Sequence, residues 1–159
     1  MAEDTLVVKG NKEALYSSLI QQIKALVGNE TDAIANMANT AAAIKETFNF
    51  FWVGFYFVKN EELVLGPFQG PVACTRIPKG RGVCGAAWEK KETLIVDDVS
   101  TFPGHIACSA FSKSEIVVPL IKNNDVIGVL DIDSDTLATF DSVDAQNLKQ
   151  LCEWLTSVI

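Results

Sequence analysis

The sequence predicts an α+β fold in which terminal helices pack on one face of a mostly antiparallel sheet. Apolar residues recur at helical spacing near both ends of the chain, whereas the middle alternates short β-rich segments with polar turns typical of hairpins. The chain has 159 residues, of which 48% are hydrophobic. This length and composition suit one compact domain over residues 1–159 with a continuous core.

Helices are predicted at the two ends. Asn11 can cap the first, which Gly28 ends, and Thr31 or Asp32 can cap the second. The last helix is expected to begin at residues 141–142 and to bury a leucine stripe. Because helices separated only by short turns lie close in space, we expect these helices to cover the same face of the sheet.

The middle of the chain is rich in β-branched and aromatic residues between turns. The predicted strands are residues 51–58, 63–68, 72–77, 93–96, 115–121 and 126–133, with a short helix at 83–90. Gly66, Pro67, Gly70 and Pro71 are predicted to break the return strand of the first hairpin before residue 72 resumes it. Residues 97–112 lack periodicity and form a long loop of the kind that often carries function.

Charge and composition exclude several classes of protein. Lys and Arg total 13 against 20 Asp and Glu, a net charge of −7, which disfavours nucleic acid as a partner. The most apolar stretch, residues 48–58, is shorter than the roughly 18 residues of a spanning helix, so no membrane partner is expected. Residues 1–10 carry Glu3 and Asp4 rather than a basic export signal, which predicts a cytoplasmic location.

The four cysteines are too few and too scattered in the sequence to stabilise the fold through structural disulfides. Cys152 sits one helical turn from leucines and is interpreted as a small core residue, whereas Cys74, Cys84 and Cys108 lie in or beside loops where a thiol can react. No C-x-x-C pair occurs and His105 is the only histidine, so no metal site is expected. His105 itself is interpreted as structural.

Three carboxylates are expected to lie near one another. Asp131 and Asp133 are two residues apart in a strand, so they point to the same face of the sheet, and Glu115 opens a neighbouring strand. They are either solvated at a strand end or gathered in one pocket. In a pocket, such a cluster would hold a cation or share protons, through a bound ammonium or a raised carboxyl pKa.

Trp52 and Tyr56 are four residues apart in the first predicted strand and therefore also share a face. Two interpretations stay open on spacing alone. The pair can be a stripe of aromatic core residues, or it can form the wall of a small-molecule pocket.

Five stretches of this sequence closely resemble the free methionine-R-sulfoxide reductases, which are single GAF-domain enzymes. The stretches are Gly-Pro-Val-Ala-Cys at 70–74, Gly-Arg-Gly-Val-Cys-Gly at 80–85, Phe-Pro-Gly-His-Ile-Ala-Cys at 102–108, Ser-Glu-Ile-Val-Val-Pro-Leu at 114–120 and Gly-Val-Leu-Asp-Ile-Asp-Ser at 128–134. They occur in order over residues 51–134. The resemblance implies a GAF-like fold and a thiol-dependent reduction of free L-methionine-(R)-sulfoxide to L-methionine, through a sulfenic acid and an intramolecular disulfide.

The resemblance also implies roles for individual residues. Cys108 corresponds to the catalytic nucleophile, Cys74 to its main resolving partner and Cys84 to an auxiliary one. The implied substrate pocket is formed by Glu115, Asp131 and Asp133, by the aromatic residues Trp52 and Tyr56, and more weakly by Asp97. Glu115 is also the candidate proton donor. The implied partners are an external thioredoxin-like reductant and a second copy in a homodimer.

Two other functions use the same residues. A non-catalytic GAF-type sensor would bind a small effector in the same pocket and would have to signal through dimerisation. A thiol peroxidase would use the same cysteines on hydrogen peroxide.

Overall fold

The computed structural model describes residues 4–159, so Glu3, part of the predicted acidic N-terminus, lies outside the described residues. The helices are α1 (Lys12–Val27), α2 (Ala33–Phe48), α3 (Gly82–Lys90) and α4 (Ser142–Val158), with a 3-10 turn at Val99–Thr101. The strands are β1 (Trp52–Lys59), β2 (Glu62–Gln69), β3 (Arg76–Pro78), β4 (Leu94–Val96), β5 (Ser114–Lys122) and β6 (Asp125–Ser134).

The six strands form one sheet in the order β3-β2-β1-β6-β5-β4. Every pair of neighbours is antiparallel, which confirms the predicted α+β class. The β5–β6 hairpin turns at Asn123 and Asn124, whose φ angles of 52° and 66° suit a tight two-residue turn. Strands β1 and β6, distant in sequence, are neighbours at the centre of the sheet.

The predicted helix starts are confirmed by their caps. The Asn11 side chain accepts a hydrogen bond from the Ala14 amide, and Asp32 serves α2 in the same way. Asp141 caps α4 and forms a reciprocal capping box with Asp144. These bonds fix the angles at which the three helices approach the sheet.

Helices α1, α2 and α4 cover one face of the sheet, as predicted. Their buried side chains, among them Leu19, Ile44 and Leu151, form a single cluster with inward residues of β1, β5 and β6. On the opposite face α3 packs over Trp52 and Tyr56. The helical layer is therefore the main hydrophobic core, and the second face is free to build a site.

Two strand predictions were wrong. Gly66 and Pro67 lie within β2 rather than ending it. Pro67 is paired on neither side, because β3 pairs with residues 62–64 and the β1–β2 register shifts between Gly54 and Tyr56. A proline is tolerated on such a free, bulged edge. The predicted strand 72–77 is reduced to Arg76–Pro78.

A polar cluster joins the first helix to the last. Asp144 is 0% exposed, yet its carboxylate accepts a 2.7 Å hydrogen bond from the Tyr16 hydroxyl and pairs with the Lys12 ammonium. Lys12 also bonds Asp141, the α4 cap, at 3.0 Å. Since each buried polar atom has a partner, this cluster holds α1 and α4 together without an uncompensated charge.

None of the helices among residues 4–159 is long and apolar enough to cross a lipid bilayer.

Replacing Lys12 by Met should lower the free energy of unfolding by about 1–3 kcal/mol, because the buried Asp144 carboxylate loses its cationic partner. Urea denaturation measures the change. The matched control is Lys149→Met, which removes only an exposed i,i+4 pair with Glu153 and should change stability by less than about 0.5 kcal/mol. Equal effects of the two substitutions would contradict the role given to Asp144.

Candidate active site

Neighbouring strands bring the three predicted carboxylates together. Asp133 lies opposite Glu115 on β5 and opposite Trp52 on β1. Asp131 lies two residues before Asp133 on β6, on the same face, and is opposite Val117 and Gly54. All three carboxylates line one pocket, so the interpretation as a solvated strand end was wrong. Glu115 and Asp131 are each 6% exposed.

Helix α3 places a thiol against these carboxylates. A Cβ atom at Gly85 would lie 2.5 Å from the carbonyl oxygen of Pro78, so only glycine allows the helix to approach the end of β3 this closely. The preceding residue, Cys84, is 3% exposed, and its Sγ donates to Glu115 Oε1 at 3.8 Å. Burial, followed by the nearby charges of Asp131 and Glu115, raises the pKa of the Cys84 thiol.

The carboxyl groups are also shifted towards their protonated forms. Burial raises the pKa of Glu115, and the charges of Asp131 and Asp133 raise it further. The pKa of Asp131 is raised by burial and then by Asp133. Burial raises the pKa of Asp133 to about 6, against an opposing hydrogen bond from Ser112. Asp131 Oδ1 is buried without a hydrogen-bond partner. The cluster therefore shares protons or requires a cation.

Trp52 and Tyr56 form an aromatic wall, with ring centroids 6.0 Å apart. Both are buried and both line the pocket, so the two interpretations of this pair are reconciled. The Trp52 indole donates to the Pro71 carbonyl and the Tyr56 hydroxyl donates to the Cys74 carbonyl, each at 3.0 Å. The wall thus fixes the loop that carries Cys74.

Cys74 and Cys108 form a disulfide between two loops, with their Cα atoms 5.2 Å apart. The structure is therefore that of an oxidised form of the protein. Cys108 lines the pocket that contains the carboxylates. Cys152 is buried in the helical layer on the opposite face, which confirms its interpretation as a core residue.

The pocket is open to solvent and lies between the sheet, helix α3 and the two loops that carry the disulfide. The predicted residues that line it are Trp52, Tyr56, Cys84, Cys108, Glu115, Asp131 and Asp133. No Lys or Arg lines it within the part of the chain that the structure describes. It is thus an acidic pocket with Cys108 Sγ, one of the two disulfide sulfurs, in its wall.

Asp97 does not join this pocket. Its side chain is exposed beyond the end of β4, and its backbone carbonyl accepts a hydrogen bond from the Ala138 amide. The structure offers no support for its expected contact with substrate. A position next to a functional loop does not by itself direct a side chain into the site.

Sequence reasoning did not assign two pocket residues, Ser112 and His105, to the site. Ser112 bonds Asp133, and the His105 ring lines the pocket with a buried Nδ1 that has no partner. Burial lowers the pKa of His105, which favours the neutral ring. Both residues lie in the long loop 97–112, whose lack of periodicity was the available signal.

Comparisons with known proteins agree with this geometry. The GAF domain family matches residues 29–159. The GAF domain-containing protein A of Dictyostelium discoideum is 61% identical, over 98% of this chain and 99% of its own. The free methionine-R-sulfoxide reductase of Escherichia coli is 47% identical, over 94% of this chain and 91% of its own.

A solved structure is similar throughout. The free methionine-R-sulfoxide reductase of Neisseria meningitidis, determined in complex with its substrate, has a TM-score of 0.96 and is 54% identical, over 99% of this chain and 95% of its own. The match spans the sheet, the four helices and the loops that carry the cysteines. The chain belongs to the GAF domain family and, within it, to the free methionine-R-sulfoxide reductases.

Proposed function

We propose that this protein reduces free L-methionine-(R)-sulfoxide to L-methionine, with thiols as the only source of electrons. The observation that carries the proposal is the Cys74–Cys108 disulfide, one sulfur of which lines a pocket of buried carboxylates. A disulfide is the expected end product of a sulfoxide reduction by two cysteines. The similarity to reductases from two bacteria supports the choice of substrate.

The first step joins Cys108 to the substrate. The Cys108 thiolate attacks the sulfoxide sulfur while a carboxylic acid gives a proton to the sulfoxide oxygen. The hydroxyl group then passes from the substrate sulfur to Cys108 Sγ as the transient sulfur–sulfur bond breaks, which leaves a sulfenic acid and releases methionine with the electron pair that the thiolate supplied. Glu115 suits the acid role, because burial beside two other carboxyl groups keeps a proton on this cluster.

The second step uses Cys74. Its thiol attacks the Cys108 sulfenic acid, a sulfur–sulfur bond forms, and the oxygen leaves as water. The loop carrying Cys74 is held by the hydrogen bond from Tyr56, so the two sulfurs are already within bonding reach. Cys84 has a different environment, because it is buried and donates to Glu115. We propose for it an auxiliary role in resolution, available only once its proton is removed.

The acidic pocket explains a preference for the free amino acid. Free methionine sulfoxide carries an ammonium group, which a peptide-bound methionine lacks. Three carboxyl groups and no lysine or arginine line the pocket described here, so a bound ammonium would neutralise their mutual repulsion. Trp52 offers a ring face to the polarised sulfur and its methyl group.

The same charges oppose formation of the thiolate, because neighbouring carboxylates raise the pKa of a thiol. The substrate ammonium offsets this effect. Binding of substrate would therefore favour the thiolate form of Cys108 at the moment when the nucleophile is needed.

The disulfide must be reopened for another turnover. We propose that an external dithiol protein of the thioredoxin type does so in the cytoplasm, with no further cofactor. Homodimer formation also stays a prediction, and the molar mass from light scattering would test it.

The reduced protein should consume only the R epimer of racemic free methionine sulfoxide in the presence of dithiothreitol, with one methionine formed per sulfoxide lost. Chiral chromatography of the products measures both epimers. Persistence of both would contradict the proposed function and favour the small-molecule sensor. Faster consumption of hydrogen peroxide than of sulfoxide would favour the peroxidase.

Replacing Cys108 by Ser should abolish turnover, since the serine hydroxyl is not ionised near neutral pH and is a much weaker nucleophile. Replacing both Cys74 and Cys84 by Ser should instead allow one rapid turnover in the absence of dithiothreitol and then stop, leaving a sulfenic acid on Cys108 that dimedone labels and mass spectrometry detects.

The matched control for both variants is Cys152→Ser, which changes a core cysteine on the other face of the sheet. Sustained turnover by Cys108→Ser would refute its assignment as the nucleophile.

Replacing Glu115 by Gln should lower kcat by about 10²- to 10⁴-fold, because the amide cannot give a proton to the departing oxygen. Steady-state kinetics with free methionine sulfoxide separates this effect from a change in KM. Glu89→Gln, an exposed position on α3, is the matched control. An unchanged kcat in the Glu115 variant would move the acid role to another carboxyl group.

A further inference from the structure

The pocket floor contains a set of atoms that suits a metal ion. Cys84 Sγ and one carboxylate oxygen from each of Glu115 and Asp131 lie within 4.8 Å of one another. The three residues come from α3, β5 and β6, and all are buried. The absence of a C-x-x-C pair disfavoured a metal site from sequence spacing, but this set is assembled from three separate elements.

Asp131 provides an independent indication that the set lacks a ligand. Its Oδ1 atom is buried and has no hydrogen-bond partner, although the side chain lies in the pocket wall. A buried carboxylate oxygen without a donor or cation is rare in folded proteins. No lysine or arginine lines the pocket among the described residues, and burial lowers the pKa of His105, which favours its neutral ring.

The donor atoms are those of a zinc site with an open position. In a tetrahedral zinc site, a Zn–S distance of about 2.3 Å and a Zn–O distance of about 2.1 Å place sulfur and oxygen about 3.6 Å apart. The observed distance from Cys84 Sγ to Glu115 Oε1 is 3.8 Å. One thiolate and two carboxylates give three protein ligands, which leaves the fourth position to water from the open pocket. A sulfur ligand also favours Zn²⁺ over Mg²⁺ or Ca²⁺.

We propose that the pocket binds a thiophilic divalent cation, with Zn²⁺ as the preferred ion, through Cys84, Glu115 and Asp131. The ion replaces the thiol proton and the proton held by the carboxyl groups, both of which are released to solvent, and it neutralises the resulting carboxylates. Its positive charge disfavours a cationic ligand in the same pocket. The binding does not depend on the proposed reductase reaction.

The test uses the oxidised protein without reductant. With Cys74 and Cys108 joined, Cys84 and Cys152 are the remaining thiols of the four-cysteine chain. Zn²⁺ affinity is measured by calorimetry, and Co²⁺ is added separately because a cobalt–thiolate bond gives a charge-transfer band in the near ultraviolet. We expect one bound ion and such a band.

Substitutions identify the ligands. Cys84→Ala should abolish the Co²⁺ band and weaken Zn²⁺ binding by at least about tenfold, whereas Asp131→Asn should weaken it to a similar degree and leave the thiol intact. Cys152→Ala is the matched control and should bind as the parent does. Circular dichroism checks that each variant is folded, and the Asp131 variant tests the site if the Cys84 variant does not fold.

Two results would overturn the inference. One is the absence of Zn²⁺ binding to the oxidised protein. The other is binding that persists unchanged in both the Cys84 and the Asp131 variants, which would place the ion on the acidic surface. Because no sulfoxide is present in these measurements, failure of the reductase proposal leaves their outcome unaffected, and the reverse also holds.

Discussion

The structure around the site depends on the burial of several carboxyl groups on one face of a sheet. Glu115 and Asp133 face each other across β5 and β6, and Asp131 follows on the same face. Helix α3 covers one side of this group, and its Cys84 contacts Glu115. Carboxylates in such a place repel each other and lose hydration, so they retain protons or attract a cation. The pocket therefore has a chemical requirement before any ligand arrives.

The opposite face of the sheet stabilises the fold despite the burial of these carboxyl groups. Helices α1, α2 and α4 bury a large apolar cluster there, which stabilises the sheet independently of the site. The polar cluster of Tyr16, Lys12 and Asp144 in that layer is fully paired, in contrast to Asp131. In the pocket, by contrast, Asp131 Oδ1 and His105 Nδ1 are buried without a partner at a place where a ligand can enter.

Much of this was predictable because local rules control it. The two-residue period of a strand places Asp131 and Asp133 on one face, and side-chain caps mark the helix starts. The edge position of Pro67 was not predictable, because it depends on how far β3 extends along β2. Likewise, nothing in its spacing shows that Cys84 contacts Glu115, 31 residues away. The exposed position of Asp97 was not predictable for the same reason, since a loop's path is set by tertiary contacts.

The proposals for substrate binding and for zinc binding both depend on the negative charge of the carboxyl cluster. The two ligands therefore compete for the same pocket. A substrate ammonium and a zinc ion would both neutralise the cluster, but only zinc removes the proton from Cys84. The ammonium leaves the acid proton of Glu115 in place for transfer to the sulfoxide oxygen, whereas coordination of Glu115 requires its loss. A pocket holding zinc would thus lack the proton for catalysis. If both proposals hold, bound zinc would inhibit the reductase reaction.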